Sequence, residues 1–361
     1  MMGRILLVLG GIVGSILVLI LVTAGYLYID TRGEYSVPLT AEHDPSIPTL
    51  TLNEATFHVQ TFGADTSQLV MILHGGPGND FRYLLPLQEL QDEYKVVFYD
   101  QRGTGLSPRV DPEELTLESS LTDLEEMIDH FSPDRKVNLV GNSWGGMLAS
   151  GYLARNPQRV DKVVIAEPGM LSSEQGEAYL DRFKIKPDLA ATMAMLRIAF
   201  ESLHLSNTDA QAKQDYIFGK IPLLDFPGNP MRKYFCNEDP GSAAMAFWRL
   251  GAEASINIQG GAINEQGEVE IDLISGVEEY PGTVLFVVSE CNQLIGEAFQ
   301  LNHMKYFPRT RLAVIKNAGH TMFGEQPDSS LAVIREYFKS SSSEGVHNKA
   351  AATTQESGQE S

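Results

Sequence analysis

The stretch from Lys136 to Ala154, KVNLVGNSWGGMLASGYLA, decides the fold of this chain. It opens with Val137 to Val140, a short and mostly apolar run that is typical of a buried parallel strand. From Gly146 onward the apolar residues recur at helical spacing, and Asn156-Pro157 ends the predicted helix. The stretch therefore predicts a strand that turns directly into a helix.

The turn between this strand and helix reads Gly141-Asn142-Ser143-Trp144-Gly145, a match to G-x-S-x-G. A serine lifted out on so tight a turn needs a strained backbone, and only glycines leave room two residues to either side. The helix that follows adds the positive end of its dipole and free N–H groups, which suit a developing oxyanion. Ser143 is therefore the candidate nucleophile. The alternative is a glycine-rich turn with a structural role only.

Composition narrows the possible partners. The 361 residues, 43% of them hydrophobic, suffice for one large α/β domain with an insertion or for two smaller domains. The formal net charge of -20 argues against nucleic acid and anionic membrane surfaces as partners. The two cysteines show no metal-ligand spacing, and we expect neither a metal nor a cofactor.

An uncharged apolar run, Ile5 to Ile29, lies near the N-terminus. At 1.5 Å per residue it is long enough for a hydrocarbon core of about 30 Å. Arg4 precedes the run and Asp30 follows it, so the positive-inside rule places the bulk of the chain outside the cytoplasm. We expect residues 1–30 to form a single-pass membrane anchor. The alternative is a cleaved signal peptide, with Val22-Thr23-Ala24 as its cleavage site.

Two polar segments flank the part of the chain that should fold. Residues 31–48 contain proline and are predicted to be a linker between membrane and domain. Residues 340–361 are rich in Ser, Gln, Glu and Ala without apolar periodicity, which predicts a disordered tail. Cys236 and Cys291 could pair outside the cytoplasm, but a single bridge makes no disulfide framework, and the sequence leaves the pairing open.

Short apolar runs alternate with amphipathic ones, which predicts a parallel sheet with right-handed crossovers. The predicted strands are Ala55–Thr61, Leu69–Leu73, Val96–Tyr99, Val163–Ala166, Val284–Val288 and Leu312–Ile315, and the flanking helices Ser119–Phe131 and Ser329–Phe338. Residues 168–280 read as helices instead. An insertion there would lie over the C-terminal edge of the sheet, where ligands bind. We therefore expect a core of residues 49–167 and 281–339 with a helical cap at 168–280.

An acyl-transfer serine needs a base and two oxyanion donors. His320 follows the last predicted strand, and a histidine placed near the C-terminus after the serine is the chain order of α/β-hydrolases. One oxyanion donor should be the N–H of Trp144, next after the nucleophile. The other should come from the turn after Leu69–Leu73, where we choose Gly76 because Pro77 has no N–H.

Four motifs together resemble the proline iminopeptidase family of α/β-hydrolases: HGGPG at 74–78, DQRGTGLS at 100–107, GNSWGG at 141–146 and NAGH at 317–320. The resemblance extends from about Leu69 to Phe338 and is weakest in the cap. It implies the α/β-hydrolase fold and a serine peptidase that removes an N-terminal residue, often proline, from peptides. Dehalogenases and epoxide hydrolases would need an aspartate at position 143.

The triad acid is where this sequence departs from the family. The family's aspartate usually follows the penultimate strand, where this chain has Asn292. Loss of the charge at this position in a serine protease triad costs about 10⁴-fold. Glu290 or Asn292 could take the orienting role, or the triad could lack an acid. We favour Glu167, which directly follows the strand ending at Ala166, as in some α/β-hydrolases, because a glutamate there is costly to bury without a partner.

For the substrate amine, the resemblance implies glutamates on the cap near a tryptophan. The nearest match is Trp248 with Glu253, where the glutamate is one residue out of register. Glu253 would pair with an α-ammonium group, and an ordinary surface glutamate is the alternative. Asp100 and Arg102 are predicted to form a buried ion pair that braces the neighbouring loop.

These predictions combine into a membrane-anchored serine hydrolase that uses Ser143, His320 and Glu167 on a peptide or aminoacyl substrate. One alternative is an esterase or lactonase of small acyl groups with the same triad. The other is a catalytically silent binding protein with the same pocket. Asn292 keeps this last alternative open, whereas Glu167 argues against it.

Overall fold

The computed structural model describes residues 2–184, 188–206, 209–226, 228–240 and 247–340, with side chains from residue 9 onward. The predicted disordered tail, 340–361, lies outside the described residues except for Ser340.

The described residues contain one eight-stranded sheet. Its strands are β1 Thr49–Leu52, β2 Ala55–Phe62, β3 Leu69–Leu73, β4 Lys95–Tyr99, β5 Val137–Asn142, β6 Val160–Ala166, β7 Val284–Ser289 and β8 Thr310–Ile315. The order across the sheet is β1-β2-β4-β3-β5-β6-β7-β8. Strand β2 pairs antiparallel with β1 and β4, and all the other neighbours are parallel. The predicted mostly parallel sheet is confirmed.

The central strands are mostly apolar because both faces of the sheet are covered. Every residue of β3, β5 and β7 is buried. Alternate side chains enter two separate hydrophobic cores, one on each face, as with Met71 and Ile72 in β3. Parallel sheets covered on both faces give such continuous apolar runs. This is why these strands are readable in the sequence, whereas β1, exposed along one side, is not.

Helices cover both faces of this sheet. The α-helices are α1 Met2–Asp30, α2 Leu117–Phe131, α3 Trp144–Arg155, α4 Gly176–Leu180, α5 Leu189–Glu201, α6 Ala212–Lys220, α7 Ala252–Gly261, α8 Glu297–His303, α9 Met322–Glu325 and α10 Pro327–Lys339. The longer 3₁₀ segments are Arg82–Asp92 and Pro230–Tyr234. Helix α3 begins where β5 ends, as predicted.

The described part of the insertion between β6 and β7 contains α-helices and 3₁₀ turns joined by irregular segments, and its β pairing is limited to isolated bridges. Its last part does not lie apart from the core. Ile258, Leu273 and Tyr280 pack into the same hydrophobic core as the sheet. The division into core and cap therefore stays a prediction.

Helix α1 and the segment after it differ from each other in packing. Leu9–Asp30 has a mean hydropathy of 2.4, with 6% of its most apolar window buried, and it is long and apolar enough to cross a membrane. Residues 31–48, predicted to be a linker, also pack against the folded part of the chain. Val37 is buried, and Tyr35 forms a β-bridge with Leu205 of the insertion. The apolar side chains of this polar segment fix it to the folded part.

Candidate active site

Ser143 lies on a sharp turn between β5 and α3, with φ 55° and ψ -119°. A Cβ at Gly141 would lie 2.1 Å from the Gly145 oxygen, and one at Gly145 would lie 2.1 Å from the Leu73 oxygen. Both glycines are therefore needed for the turn to form. A left-handed non-glycine residue held by packed surroundings is a strained conformation of the kind found at functional sites. The local geometry is that of a nucleophile elbow.

The candidate base and the favoured acid lie in direct contact. Nδ1 of His320 is 2.7 Å from Oε2 of Glu167. The Glu167 side chain is fully buried, whereas the His320 side chain is 13% exposed. Contact through Nδ1 fixes the ring orientation and leaves Nε2 as the nitrogen that can take a proton from a serine hydroxyl.

Three donors besides His320 satisfy the buried carboxylate of Glu167. The backbone N–H and the hydroxyl of Ser289 both donate to Oε1 at 2.7 Å. Nδ2 of Asn292 donates to Oε2 at 2.7 Å and lies 3.3 Å from Nδ1 of His320. The Oδ1 atom of Asn292 accepts from Leu294 and Ile295, which fixes the amide orientation. Asn292 therefore supports the carboxylate rather than replacing it.

Glu290 does not reach the histidine. Its carboxylate is 2.7 Å from Nζ of Lys316 and accepts the N–H of Asn317 at 3.0 Å. The hydrogen bond from Lys316 lowers the pKa of Glu290. This exposed pairing argues against Glu290 as the acid.

A buried hydrogen-bond network fixes the loop that begins at His74. The indole N–H of Trp144 donates to Oε1 of Gln101 at 2.7 Å, and Nε2 of Gln101 donates to the His74 carbonyl at 3.0 Å. The His74 ring accepts the Gln101 N–H through Nε2 at 3.0 Å and donates through Nδ1 to the Gly75 carbonyl at 2.9 Å. Burial lowers the pKa of His74, so the ring is neutral. His74 thus shapes the turn.

The predicted oxyanion donors, Gly76 and Trp144, belong to the two segments that this network joins. The N–H of Gly75 is bonded to the Tyr83 hydroxyl at 2.9 Å, so it is not the donor. Gly76 has φ 121°, and a Cβ there would lie 2.5 Å from the Gly78 nitrogen. Trp144 is the first residue of α3, and its N–H has no acceptor within the helix. The choice of Gly76 and Trp144 stays a prediction that this geometry permits.

A segment of the insertion that contains Tyr234 also contacts His320. The Tyr234 ring stacks on the His320 ring at 4.3 Å between centroids, and the His320 N–H donates to the Tyr234 carbonyl at 2.9 Å. Cys236 forms a disulfide with Cys291, which answers the pairing question that the sequence left open. Because Cys291 precedes Asn292, the bridge joins this segment to the loop that supports the acid.

Trp248 and Glu253 lie beside the glycine turn. The Trp248 ring packs against Phe81 at 5.2 Å between centroids, and the backbone N–H of Trp248 donates to Oδ2 of Asp80 at 2.6 Å. Glu253 is half-buried in the first turn of α7, just after the Gly251 N–H bonded to Gly78 at 2.7 Å. Their roles in substrate binding stay predictions.

The predicted ion pair between Asp100 and Arg102 is wrong. Oδ2 of Asp100 is instead 2.7 Å from Nδ1 of His58. Arg102 pairs with Asp123 and with Glu114, the latter at 2.7 Å. Asp100 also accepts the N–H of Leu106 in its own loop and the N–H of Phe81, so its carboxylate is satisfied without Arg102.

Comparison with known proteins agrees with this geometry. Residues 68–327 match the sequence profile of the alpha/beta hydrolase fold. The chain belongs to the α/β-hydrolase family. The predicted fold class and the resemblance to proline iminopeptidases are both confirmed at this level.

Curated relatives of this α/β-hydrolase include several proline iminopeptidases. That of Saccharolobus solfataricus is 26% identical over 282 residues, which is 74% of this chain and 84% of the relative. A cis-3-alkyl-4-alkyloxetan-2-one decarboxylase of Shewanella oneidensis is 34% identical over 102 residues, which is 28% of this chain but only 32% of that protein. The relatives therefore span more than one named activity.

Solved structures resemble this α/β-hydrolase in fold. A thermophilic esterase from Thermogutta terrifontis has a TM-score of 0.55 at 19% identity, covering 81% of this chain and 96% of its own. A proline iminopeptidase from Mycobacterium smegmatis has a TM-score of 0.54 at 18% identity, covering 80% and 96%. At such low identity the likeness shows the fold alone.

Sequence reasoning missed three residues of this α/β-hydrolase site. They are Ser289, which donates twice to the acid, Tyr234, which stacks on the base, and Gln101, which joins the indole to the glycine loop. Gln101 lies in the quoted DQRGTGLS motif and could have been found there. Tyr234 carries no sequence signal, since its position depends on how the insertion folds back.

Proposed function

We propose that this protein is a membrane-anchored serine hydrolase that works through an acyl-enzyme. Ser143 is the nucleophile, His320 the general base and Glu167 the group that orients His320 and stabilises its charged form. The observation that carries the proposal is the buried Glu167 carboxylate at 2.7 Å from the histidine, beside a strained serine elbow. Gly76 and Trp144 supply the oxyanion donors.

The proposed reaction follows from these positions. Nε2 of His320 takes the proton of the Ser143 hydroxyl while the oxygen attacks the acyl carbon, and the imidazolium that forms is paired with Glu167. The same histidine then gives the proton to the leaving amine. A water attacks the acyl-enzyme in the second half, again with His320 as base, and Ser143 is released.

The serine chemistry is tested with a fluorophosphonate probe on the full-length protein. Ser143→Ala should abolish labelling and turnover without changing the melting temperature. Ser150→Ala is the matched control, because Ser150 lies on the same helix with its hydroxyl bonded to the Leu273 carbonyl at 2.7 Å. Undiminished turnover in Ser143→Ala would refute the serine-hydrolase proposal.

We further propose that the substrate is a peptide or aminoacyl amide with a free N-terminus. The support is the group of proline iminopeptidase relatives, together with the position of Glu253 beside the glycine turn. The Glu253 carboxylate would pair with the substrate α-ammonium group. Glu253→Gln should raise KM for aminoacyl amides much more than for uncharged acyl esters. Glu336→Gln, an exposed change on α10, is the control.

An esterase or lactonase activity with the same triad is the second candidate. It is favoured by the fold likeness to esterases and by a relative that acts on an oxetan-2-one. Ester hydrolysis without any release of N-terminal residues would select it. The silent binding protein loses its main support, because Asn292, which kept it open, lies beside a buried carboxylate that contacts the histidine.

Anchoring of the protein by α1 is the remaining part of the proposal. Leu9–Asp30 is suited to a membrane span, and a signal sequence is the alternative. The disulfide between Cys236 and Cys291 supports a folded part outside the cytoplasm, since such bonds persist in oxidising compartments. N-terminal sequencing of the protein from membranes distinguishes the two, because a cleaved signal would remove the residues before about position 25.

A further inference from the structure

Helix α5 carries an exposed apolar face. Outside α1, the described residues include ten large hydrophobic side chains that are exposed, and five of these lie within fifteen residues of each other. The five, which we call the α5 face, are Leu189, Met193, Met195, Leu196 and Leu203. Positions 189, 193 and 196 follow one side of α5, and Leu203 lies in the 3₁₀ turn directly after it. A contiguous apolar patch of this kind marks an interaction site on a folded protein.

The α5 face is not the surface through which the helix packs on the protein. Ile198 points to the other side, where it is buried with Val37 and Leu205. The α5 face also differs from the rest of the protein surface in its charge. The chain contains 47 Asp and Glu residues, yet none lies between Leu189 and Phe200, where Arg197 is the only charged residue.

Direct contacts place α5 at the end of α1. Nη1 of Arg197 is 2.6 Å from Oδ2 of Asp30. Nε2 of His204, just after α5, is 3.0 Å from the Tyr28 carbonyl, and the two rings lie 4.6 Å apart. Tyr28 and Asp30 both belong to the last turn of α1. The α5 face therefore lies at the level at which α1 ends.

We infer that the α5 face docks into the headgroup region of the bilayer that α1 spans, so that the occupant of this surface is lipid. This inference rests on the proposed anchoring by α1. The span Leu9–Asp30 has 22 residues, and a helix of about 33 Å matches a hydrocarbon core of about 30 Å. The last turn of α1 is then at the membrane–water interface, where tyrosines such as the exposed Tyr26 and Tyr28 are enriched. Arg197, paired with Asp30, would lie at the phosphate level at the edge of the face.

The consequence is that the insertion over the candidate active site is held against the membrane at two places, the end of α1 and the α5 face. A helix lying in the interface buries its apolar side between headgroups and acyl chains while the opposite side faces the protein. The absence of acidic side chains between Leu189 and Phe200 suits this position, since no carboxylate has to be desolvated there.

Fluorescence quenching in vesicles tests the docking. The full-length protein, with its two native cysteines in their disulfide, is given one new cysteine by Val18→Cys, Met193→Cys, Leu196→Cys or Leu301→Cys. Each variant is labelled with an environment-sensitive fluorophore and reconstituted into phosphatidylcholine vesicles that contain a lipid-borne quencher. Leu301 is the matched control, as an exposed leucine on α8, and Val18 reports on the span itself.

We expect blue-shifted emission and quenching at positions 18, 193 and 196, with unshifted and unquenched emission at 301. Quenching at 18 without quenching at 193 and 196 would overturn the docking while leaving the anchor intact. Unshifted and unquenched emission at position 18 would overturn the anchoring by α1, and the docking of the α5 face with it. Protection of 193 and 196 from the quencher together with cross-linking between copies would assign the face to a second chain and also overturn the inference.

Discussion

Moving the negative charge from Glu167 to position 292 is the sharpest test of the proposed triad. In Glu167→Gln the histidine keeps a hydrogen-bond partner but loses the anion that stabilises imidazolium. At an effective dielectric of about 20, a charge pair separated by 2.7 Å is worth about 6 kcal/mol, which corresponds to a loss of about 10⁴-fold in kcat. The measured cost of the equivalent change in a serine protease is of the same size.

The double variant Glu167→Gln with Asn292→Asp should recover most of this loss. Nδ2 of Asn292 is 3.3 Å from Nδ1 of His320, so an aspartate oxygen in its place would give a pair worth about 5 kcal/mol on the same scale. The hydrogen bond between positions 167 and 292 is kept with its direction reversed, because the glutamine NH₂ now donates to the aspartate. The double variant should then be only about tenfold slower than the wild type. Asn292→Asp alone places two carboxylates in contact and should lower kcat.

Steady-state kinetics on an acyl ester, with fluorophosphonate labelling rates as a second measure, would follow the wild type and the three variants. Circular dichroism would check that each variant is folded. If Glu167→Gln retained wild-type kcat, Glu167 would not be the acid of this site. A double variant no faster than Glu167→Gln would contradict the predicted rescue from position 292.

Three further predictions concern stability. Reducing the Cys236–Cys291 bridge, which closes a loop of 55 residues, should lower the free energy of unfolding by up to about 4 kcal/mol in urea titrations; an unchanged midpoint would contradict this. Asp215→Ala should cost about 3–5 kcal/mol, because it removes the buried carboxylate shared by Arg249 at 2.7 Å and Arg109 at 2.9 Å; a cost below 1 kcal/mol would contradict it. Burial lowers the pKa of His303 to about 4, so below pH 6.5 the unfolded chain binds the extra proton and stability falls as the pH is lowered towards 4, by at most about 3 kcal/mol. In His303→Leu, the midpoint of urea denaturation should depend less on pH over that range.

The parts of the site that could be predicted from the sequence are those that local backbone geometry dictates. Ser143 is recognisable because its turn requires glycines at fixed distances on either side. Strands such as Leu69–Leu73 are recognisable because burial on both faces leaves no polar position in them. The placing of His320 after the last strand follows from chain order alone.

The parts that could not be predicted depend on which side chains meet across the sheet. Nothing local in the sequence distinguishes Asp100 paired with His58 of β2 from Asp100 paired with Arg102. Tyr234 belongs to the insertion, and its stacking on His320 depends on how that segment returns to the core. Contacts of this kind are set by tertiary packing, which residue spacing does not record.

The acid at the end of β6 and the amide after β7 make sense as one arrangement. Strand β7 lies between β6 and β8, so a carboxylate from β6 has to pass the end of β7 to reach a histidine that follows β8. The longer side chain of glutamate covers this distance. The end of β7 then has to offer hydrogen-bond donors and no second anion, which Ser289 and Asn292 do. An aspartate at 292, usual in the family that this chain resembles, would face Glu167 at hydrogen-bond distance without a shared proton. Asn292 is therefore what allows a buried carboxylate at 167, and the two positions should change only together.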